Sequence, residues 1–502
     1  MRSKKAIYNV LTNLLLQIVT VAYGLIVPKI IIDCFGSDVN GLVVSITQFL
    51  SYISLLESGF GPVIKATLYK PIAMRDKKTI ASILKTSEKF FRKIALIFVI
   101  YILMLCLIFP LIAKSDFDAV FTISLVIIIG FSTFAEYFFG MTYRLFLQAK
   151  QKIYVISIIQ IITYILAIVF VVVLARLGAN VIVIKLATTF AFLLRPIVQN
   201  LYVKRKYSID LKYTSLSYHI KQKWDGLAQH IASVIHNNTD IVVLTIFTTL
   251  SEVSVYSVYL LVLAAVKKII QSFSTGIDSS FGDMLAKNET ENLRKKFSAY
   301  ELLYMMIATI LFACTLILIT PFVQIYTSGV SDADYVRPLF GCLITLSEFV
   351  WAVRLPYSTL TLAAGHFRET RKGAWVEAAV NIMLSIILVI NFGIVGVAIG
   401  TLVAMIIRTV EFVYHANKHI LKRDIRHSVG KIVVSICIAL VAVAVYYLVP
   451  MNISGGYIDW GVGALTVLSG ISAVTILLYG VIYRKQMKGV IEWVGKRVKK
   501  RR

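Results

Sequence analysis

A chain of 502 residues that is 58% hydrophobic, only 16% charged and +0.81 in mean hydropathy is excluded from the ordinary water-soluble globular class. Its formal charge of +26 would suit nucleic acid on a soluble face, but here the basic residues sit beside the ends of apolar runs, where anionic lipid attracts them. Membrane lipids are therefore the expected partner, and nucleic acid is not.

Fourteen apolar stretches follow one another along the chain, at approximately 7–32, 40–68, 89–113, 119–148, 153–175, 181–203, 224–248, 252–280, 299–326, 338–364, 372–392, 395–417, 429–449 and 459–483. A helix crosses roughly 30 Å of hydrocarbon with about 20 residues, at about 1.5 Å each. Several stretches exceed that length, which implies tilt or projecting ends. The first carries a basic lead without a small-residue cleavage site and reads as a retained span. The expected fold is thus an all-α integral membrane protein with 14 transmembrane helices in a multi-pass arrangement, in an inner or plasma membrane. No connection exceeds about two dozen residues, which leaves no room for an extramembrane catalytic domain.

Charge sets the orientation. Eight segments, Met1–Lys5, Lys70–Lys93, Lys150–Lys152, Lys204–Lys223, Lys287–Lys296, Arg368–Lys372, Lys418–Lys431 and Arg484–Arg502, hold 40 of the 52 Lys and Arg residues. The alternate connections hold only Lys114, Arg176 and Arg337. Basic residues next to a span are retained on the cytoplasmic side, so both termini are expected there. The long basic connection 204–223 separates six spans (1–203) from six more (224–417), followed by two further spans (418–483) and a basic amphipathic tail (484–502). Because six is even, the two six-span lobes must share one orientation, a parallel pseudo-repeat. Ser37-Asp38-Val39 and Ser251-Glu252-Val253, each at the first turn of its unit, echo one another.

Two pieces read as interfacial basic amphipathic helices: 79–91, with Ile80, Ile83, Leu84, Ser87 and Phe91 on one side, and the tail, with Met487, Ile491, Val494 and Val498. The five cysteines, Cys34, Cys106, Cys314, Cys342 and Cys437, show no CxxC and no metal-ligand spacing.

Nine basic residues fall inside the apolar runs, where an ionisable group is costly unless it meets protein, a partner charge or water. Lys29, Lys65, Arg144 and Lys185 lie near span ends and can snorkel. Arg408 has Glu411 three residues on, the spacing of a same-face pair. Lys267, Lys268, Arg195 and Arg354 remain. Counted from the outer ends, Lys267, Arg195 and Arg354 come to roughly 20–25 Å depth, the level of Glu57 and Glu136. They are expected either to line a hydrated cavity open to the cytoplasm or to form ion pairs that seal the bundle. The seventh span carries His230, His236, Asn237, Asn238, Thr239 and Asp240, so it must be enclosed by protein or line water. His236 and Asp240 match an HxxxD acyltransferase spacing, but no second motif accompanies them. Nor is there a P-loop or Gly-rich fingerprint. The chain is expected not to be an enzyme, to need no cofactor, and to take H⁺ or Na⁺, if any coupling ion, on Glu57, Glu136 or Asp240.

The run GLVVSITQFLSYISLLESGFGPVIKATLYKP (41–71) resembles the second span of Wzx-type polysaccharide flippases, as do AAGHFRETRKGAWVEAAVN (363–381) and FGIVGVAIGT (392–401). These belong to the multidrug/oligosaccharidyl-lipid/polysaccharide superfamily. The resemblance implies a V-shaped pair of six-helix lobes working by alternating access. Its substrate would be an undecaprenyl-diphosphate-linked oligosaccharide, with other polysaccharide-assembly proteins as further partners. Lys267, Lys268, Arg354 and Arg195 are candidates for the diphosphate, and Lys65 and Lys267 occupy positions where the family often carries cavity-facing basic residues. A cation-coupled multidrug exporter of the same fold is the alternative. A polymerase is disfavoured, since no outer connection exceeds about eleven residues.

Overall fold

The computed structural model describes residues 2–57, 60–113, 117–207, 225–274, 277–447 and 455–487. Helices account for nearly all of them, and the described residues contain no strand. Twelve helical segments among them are long and apolar enough to cross a membrane. The chain is a multi-pass helical membrane protein that divides into two compact units. Unit 1 is Met1–Val255 with Gly329–Ala333, and unit 2 is Tyr256–Ser328 with Asp334–Arg502.

Unit 1 begins with α1 (Arg2–Phe35). The second span is interrupted: α2 (Ser37–Ser51) and α3 (Ser54–Glu57) are joined by i→i+3 hydrogen bonds from Tyr52, Ile53, Leu55 and Leu56, before α4 (Phe60–Met74). Gly61 and Pro62 stand in the first turn of α4, where a proline's missing amide costs no helix hydrogen bond. Next come α5 (Lys77–Ile112) and α6 (Ala119–Ala135), then a π-helical turn over Glu136–Gly140 and α7 (Met141–Ala149). The unit is completed by α8 (Ile153–Arg176), α9 (Val181–Tyr207), α10 (Asp225–Phe247) and the first turns of α11 (Leu250–Ser274). Its main core gathers Leu42, Ile46, Ile64, Leu84, Phe98 and Phe146 from several of these helices.

Residues 79–91 do not lie in the interface as an amphipathic helix of their own. They are the first turns of α5, and Ile80, Ile83, Leu84, Ser87 and Phe91 are all buried in unit 1. An apolar stripe is satisfied by a protein core as well as by lipid, and here a core is within reach. Asp76 starts the helix: the Thr79 hydroxyl and amide donate to its carboxylate and hold its pKa below the ordinary range. Lys185, expected to snorkel, is buried in unit 1 at 8% exposure.

A polar seam joins α2 to α10 and the start of α11. Asn40 Nδ2 donates to Ser254 Oγ (2.7 Å), Ser45 and Thr245 share a hydroxyl hydrogen bond (2.7 Å), and Gln48 Nε2 donates to Asn238 Oδ1. Gly41 makes the approach possible, since a Cβ there would lie 1.8 Å from the Leu250 carbonyl oxygen. One end of the seam is closed by Asp332, which accepts from the Ser37 amide (2.6 Å) and hydroxyl (2.7 Å). This is how the polar stretch of α10 avoids lipid: Thr239 and Asp240 are buried. The side chains of His230, His236 and Asn237 lie outside those described.

Unit 2 holds the rest of α11, then α12 (Ile277–Ala286), α13 (Thr290–Tyr326), α14 (Pro338–Ala363) and α15 (Arg371–His415). A second π-helical turn (Ala416–Leu421), α16 (Arg426–Tyr447) and α17 (Tyr457–Ile482) complete it. Within α15 the chain reverses at Gly393 (φ 54°, ψ −133°). A Cβ on Gly396 would lie 2.3 Å from the Leu388 carbonyl oxygen, and one on Gly400 2.7 Å from Ser385 Oγ. The glycines of 392–401 therefore let two antiparallel spans touch backbone to backbone, as the separate spans 372–392 and 395–417 require. Helices α16 and α17 lean on α13 through Ile317, Leu318, Ala442, Val467 and Ile471. Residues 488–502, which carry most of the expected amphipathic tail, lie outside the described residues.

Candidate functional site

The deep charges are distributed over three settings. In unit 1, Glu57 closes α3 and accepts from Tyr137 Oη at 2.8 Å. Tyr137 belongs to the π-helical turn, whose first residue, Glu136, pairs with Arg144 at 3.3 Å. A π turn inserts an extra residue and rotates the next turns of the helix, a distortion often found where helices carry function. Gly140 keeps the turn tight against α9: a Cβ there would meet Pro196 Cβ at 2.9 Å and the Glu136 carboxyl carbon at 3.5 Å. Arg144, expected to snorkel, thus balances Glu136.

Arg195 is held quite differently. Its Nε donates to Thr163 Oγ1 (2.7 Å), and its guanidinium carbon lies 4.1 Å from the Phe192 ring centroid and 4.3 Å from that of Tyr164. Tyr23 closes the box, 5.0 Å from Tyr164 and 5.8 Å from Phe192. Arg195 has no carboxylate partner among the described residues, and its Nη2 is buried without a hydrogen-bond acceptor. The rings lower the cost of burial through cation–π attraction while leaving donors unused.

In unit 2, Lys267, Arg354 and Arg408 are matched to carboxylates. Lys267 Nζ lies 2.9 and 2.8 Å from the two oxygens of Glu348 and 4.6 Å from the Trp351 ring centroid. Arg354 Nη1 lies 2.6 Å from Glu377 Oε1, and Arg408 Nε 3.4 Å from Glu377 Oε2. Arg408 also pairs with Glu411, as their spacing predicts, and donates to the Thr370 carbonyl at 2.8 Å. Glu348, Trp351 and Arg354 succeed one another at steps of three on α14, so this helix links the Lys267 pair to the Arg354 network. Lys65 and Lys268 are half-buried and have no carboxylate partner among the described residues. Asp240 is buried on α10.

A third cluster was not expected. Glu301, fully buried on α13, accepts from Arg423 Nη2 (2.6 Å), Lys431 Nζ (2.7 Å), Tyr357 Oη (2.6 Å) and Ser428 Oγ (2.7 Å). Arg423 and Lys431 come from a segment whose charge, in the sequence, signals only topology. Beside the cluster, a cavity of about 570 Å³ is lined by Glu291, Arg294, Ser298, Arg423, Asp424 and His427 among others.

Glu348 and Glu377 are not among the residues singled out from the sequence, although each is a carboxylate inside an apolar run, the signal that marks Glu57. The aromatic box of Arg195 has no such signal, because tyrosines and phenylalanines are common in spans.

With this geometry the chain can be placed among folds. No family model matches the sequence, and no curated protein matches it at a significant level. Solved structures do, and they show the fold: the helical arrangement is similar to that of MATE and MurJ transporters. An inward-facing multidrug-resistance MATE transporter of the MOP superfamily is similar at a TM-score of 0.58 and 15% identity, over 81% of this chain and 94% of that one. A eukaryotic MATE transporter gives 0.55 and 16%, over 86% and 97%. The lipid II flippase MurJ, in an inward closed conformation, reaches 0.70 at 14% identity, over 96% of this chain and 100% of that one.

Proposed function

We propose that this chain is a flippase of the Wzx type in a bacterial inner or plasma membrane. It carries undecaprenyl-diphosphate-linked oligosaccharide from the cytoplasmic to the outer leaflet, by alternating access of two six-span lobes with both termini cytoplasmic. The observation that carries this reading is Arg195. A guanidinium at membrane depth, enclosed by aromatic rings and lacking any carboxylate partner among the described residues, is half of an ion pair whose anion must come from elsewhere. A diphosphate supplies that anion and matches the planar donor fork of arginine. Lys65 and Lys268, half-buried and without a carboxylate partner among the described residues, are further cations that could join it without breaking a pair. Lys267 and Arg354 would first have to exchange Glu348 and Glu377 for phosphate, which makes them suited to a later step of the cycle. The fold similarity to a lipid II flippase over almost the whole length supports the same class of cargo.

The test is export of surface glycan by cells in which this chain is the sole flippase. Arg195→Ala should lower export roughly 10- to 100-fold, the value of a charge-assisted hydrogen bond to phosphate, with unchanged protein in the membrane. Normal export in Arg195→Ala would remove the assignment of the site. A second reading, a cation-coupled multidrug exporter, draws on Glu57 and Glu136, which flank Tyr137 in unit 1 and could hold an organic cation or a coupling H⁺ or Na⁺, as could Asp240. Efflux of a lipophilic cation that disappears in Glu57→Gln would favour it.

A further inference from the structure

On the exposed surface of unit 1, a groove of about 370 Å³ runs between α9 and the α6–π-helical segment. Its α9 wall is a single stripe, Leu193, Pro196, Ile197, Asn200, Leu201 and Lys204, and its other wall is Phe131, Ala135 and Phe139. Pro196 of the α9 wall is also the neighbour that Gly140 of the π-helical turn approaches. The walls are apolar except at one end, and there the polar groups come in a fixed order. Lys204 is exposed at the end of α9, with Arg205 and Lys206 next to it. One helical turn deeper, about 6 Å along the axis, is Asn200, whose Oδ1 is buried without a hydrogen-bond partner. Phe131, Phe139, Leu193 and Ile197 continue the groove beyond it.

We propose that this groove is a binding site for one anionic glycerophospholipid of the cytoplasmic leaflet, separate from any transported substrate. The order of groups along α9 reproduces the order of groups in such a lipid. Lys204 is a cation at the depth of the phosphate. The Asn200 amide, whose N and O ends are interchangeable in orientation, can donate to the ester carbonyl one turn deeper. The apolar stripe and two phenylalanines take the first acyl chain. A buried amide end left without a partner inside an apolar groove is costly unless a ligand completes it, and bulk acyl chains cannot. Because Pro196, which lines the groove, is what Gly140 packs against, an occupied groove would also brace the π-helical turn that carries Glu136 and Tyr137.

Native mass spectrometry of the intact, detergent-purified protein, titrated with phosphatidylglycerol or phosphatidylcholine, tests this. Wild type should retain one phosphatidylglycerol in preference to phosphatidylcholine. Asn200→Leu with Lys204→Ala should lower that affinity about 30-fold, the combined value of one surface-potential cation and one hydrogen bond. Leu193→Trp, which fills the groove without changing charge, should displace the lipid as well. Lys152→Ala, on a neighbouring basic connection, should leave retention unchanged. Equal retention by wild type and the groove variants would mean an annular lipid belt only and overturn the site. Retention of a polyprenyl phosphate in place of phosphatidylglycerol would overturn it too, by assigning the groove to cargo.

Discussion

Arg195 in unit 1 and the Arg354–Glu377–Arg408–Glu411 network in unit 2 meet the same cost, a guanidinium set within apolar helices, in opposite ways. The network neutralises its charges internally: two arginines against two carboxylates, with Arg408 only 2% exposed. Arg195 has rings and one hydroxyl around it, and an unused Nη2. A fully matched network has little left to offer a ligand and stabilises the fold that contains it. A cation held by π faces keeps its electrostatic capacity for an incoming anion. Glu301, with Arg423 and Lys431, is the extreme of the matched kind, sealed at 0% exposure. Burial alone therefore does not separate structural charges from functional ones; the chemistry of the partner does.

The largest break in this contrast should come from Glu301→Ala, which strands Arg423 and Lys431 in a buried position. A loss of roughly 3–5 kcal/mol is expected, read as a sharply lower apparent Tm or failure to accumulate in the membrane. Next, Arg354→Met leaves Glu377 to Arg408 alone, and Glu377→Leu leaves two arginines facing each other. Each single variant should be clearly destabilised, whereas the double variant should recover much of the loss, because a matched pair is exchangeable for apolar packing. Failure of the double variant to recover would show that this network has a role beyond its own neutrality. Arg195→Ala should cost only about 1 kcal/mol of stability, the scale of a cation–π contact, while its effect on transport is large. An equal fall in stability and transport would place Arg195 with the structural charges.

Much of the architecture could be read from local patterns. Loop charge asymmetry and apolar length led to the helical membrane class, and the three-residue spacing of Arg408 and Glu411 led to their pairing. The glycines of 392–401 were visible as a motif, but not their use: only the reversal at Gly393 shows that Gly396 and Gly400 exist so that two spans can touch. Residues 79–91 show the limit of an amphipathic stripe. Periodicity says that one face is apolar, not whether lipid or protein covers it, and in α5 it is protein.

The features that the sequence determined by itself are those whose energetic cost is local. A run of about 20 apolar residues or a basic loop acts on its own stretch of helix, whatever surrounds it. Partner choice was decided by the tertiary structure. Glu301 lies 122 residues from Arg423 and 130 from Lys431, and Lys267 lies 81 from Glu348. Across such separations helix packing alone sets which charges meet. That is why nine intramembrane cations could be counted from the sequence, while the aromatic box of Arg195, with no carboxylate partner among the described residues, emerged only when α1, α8 and α9 came together around it.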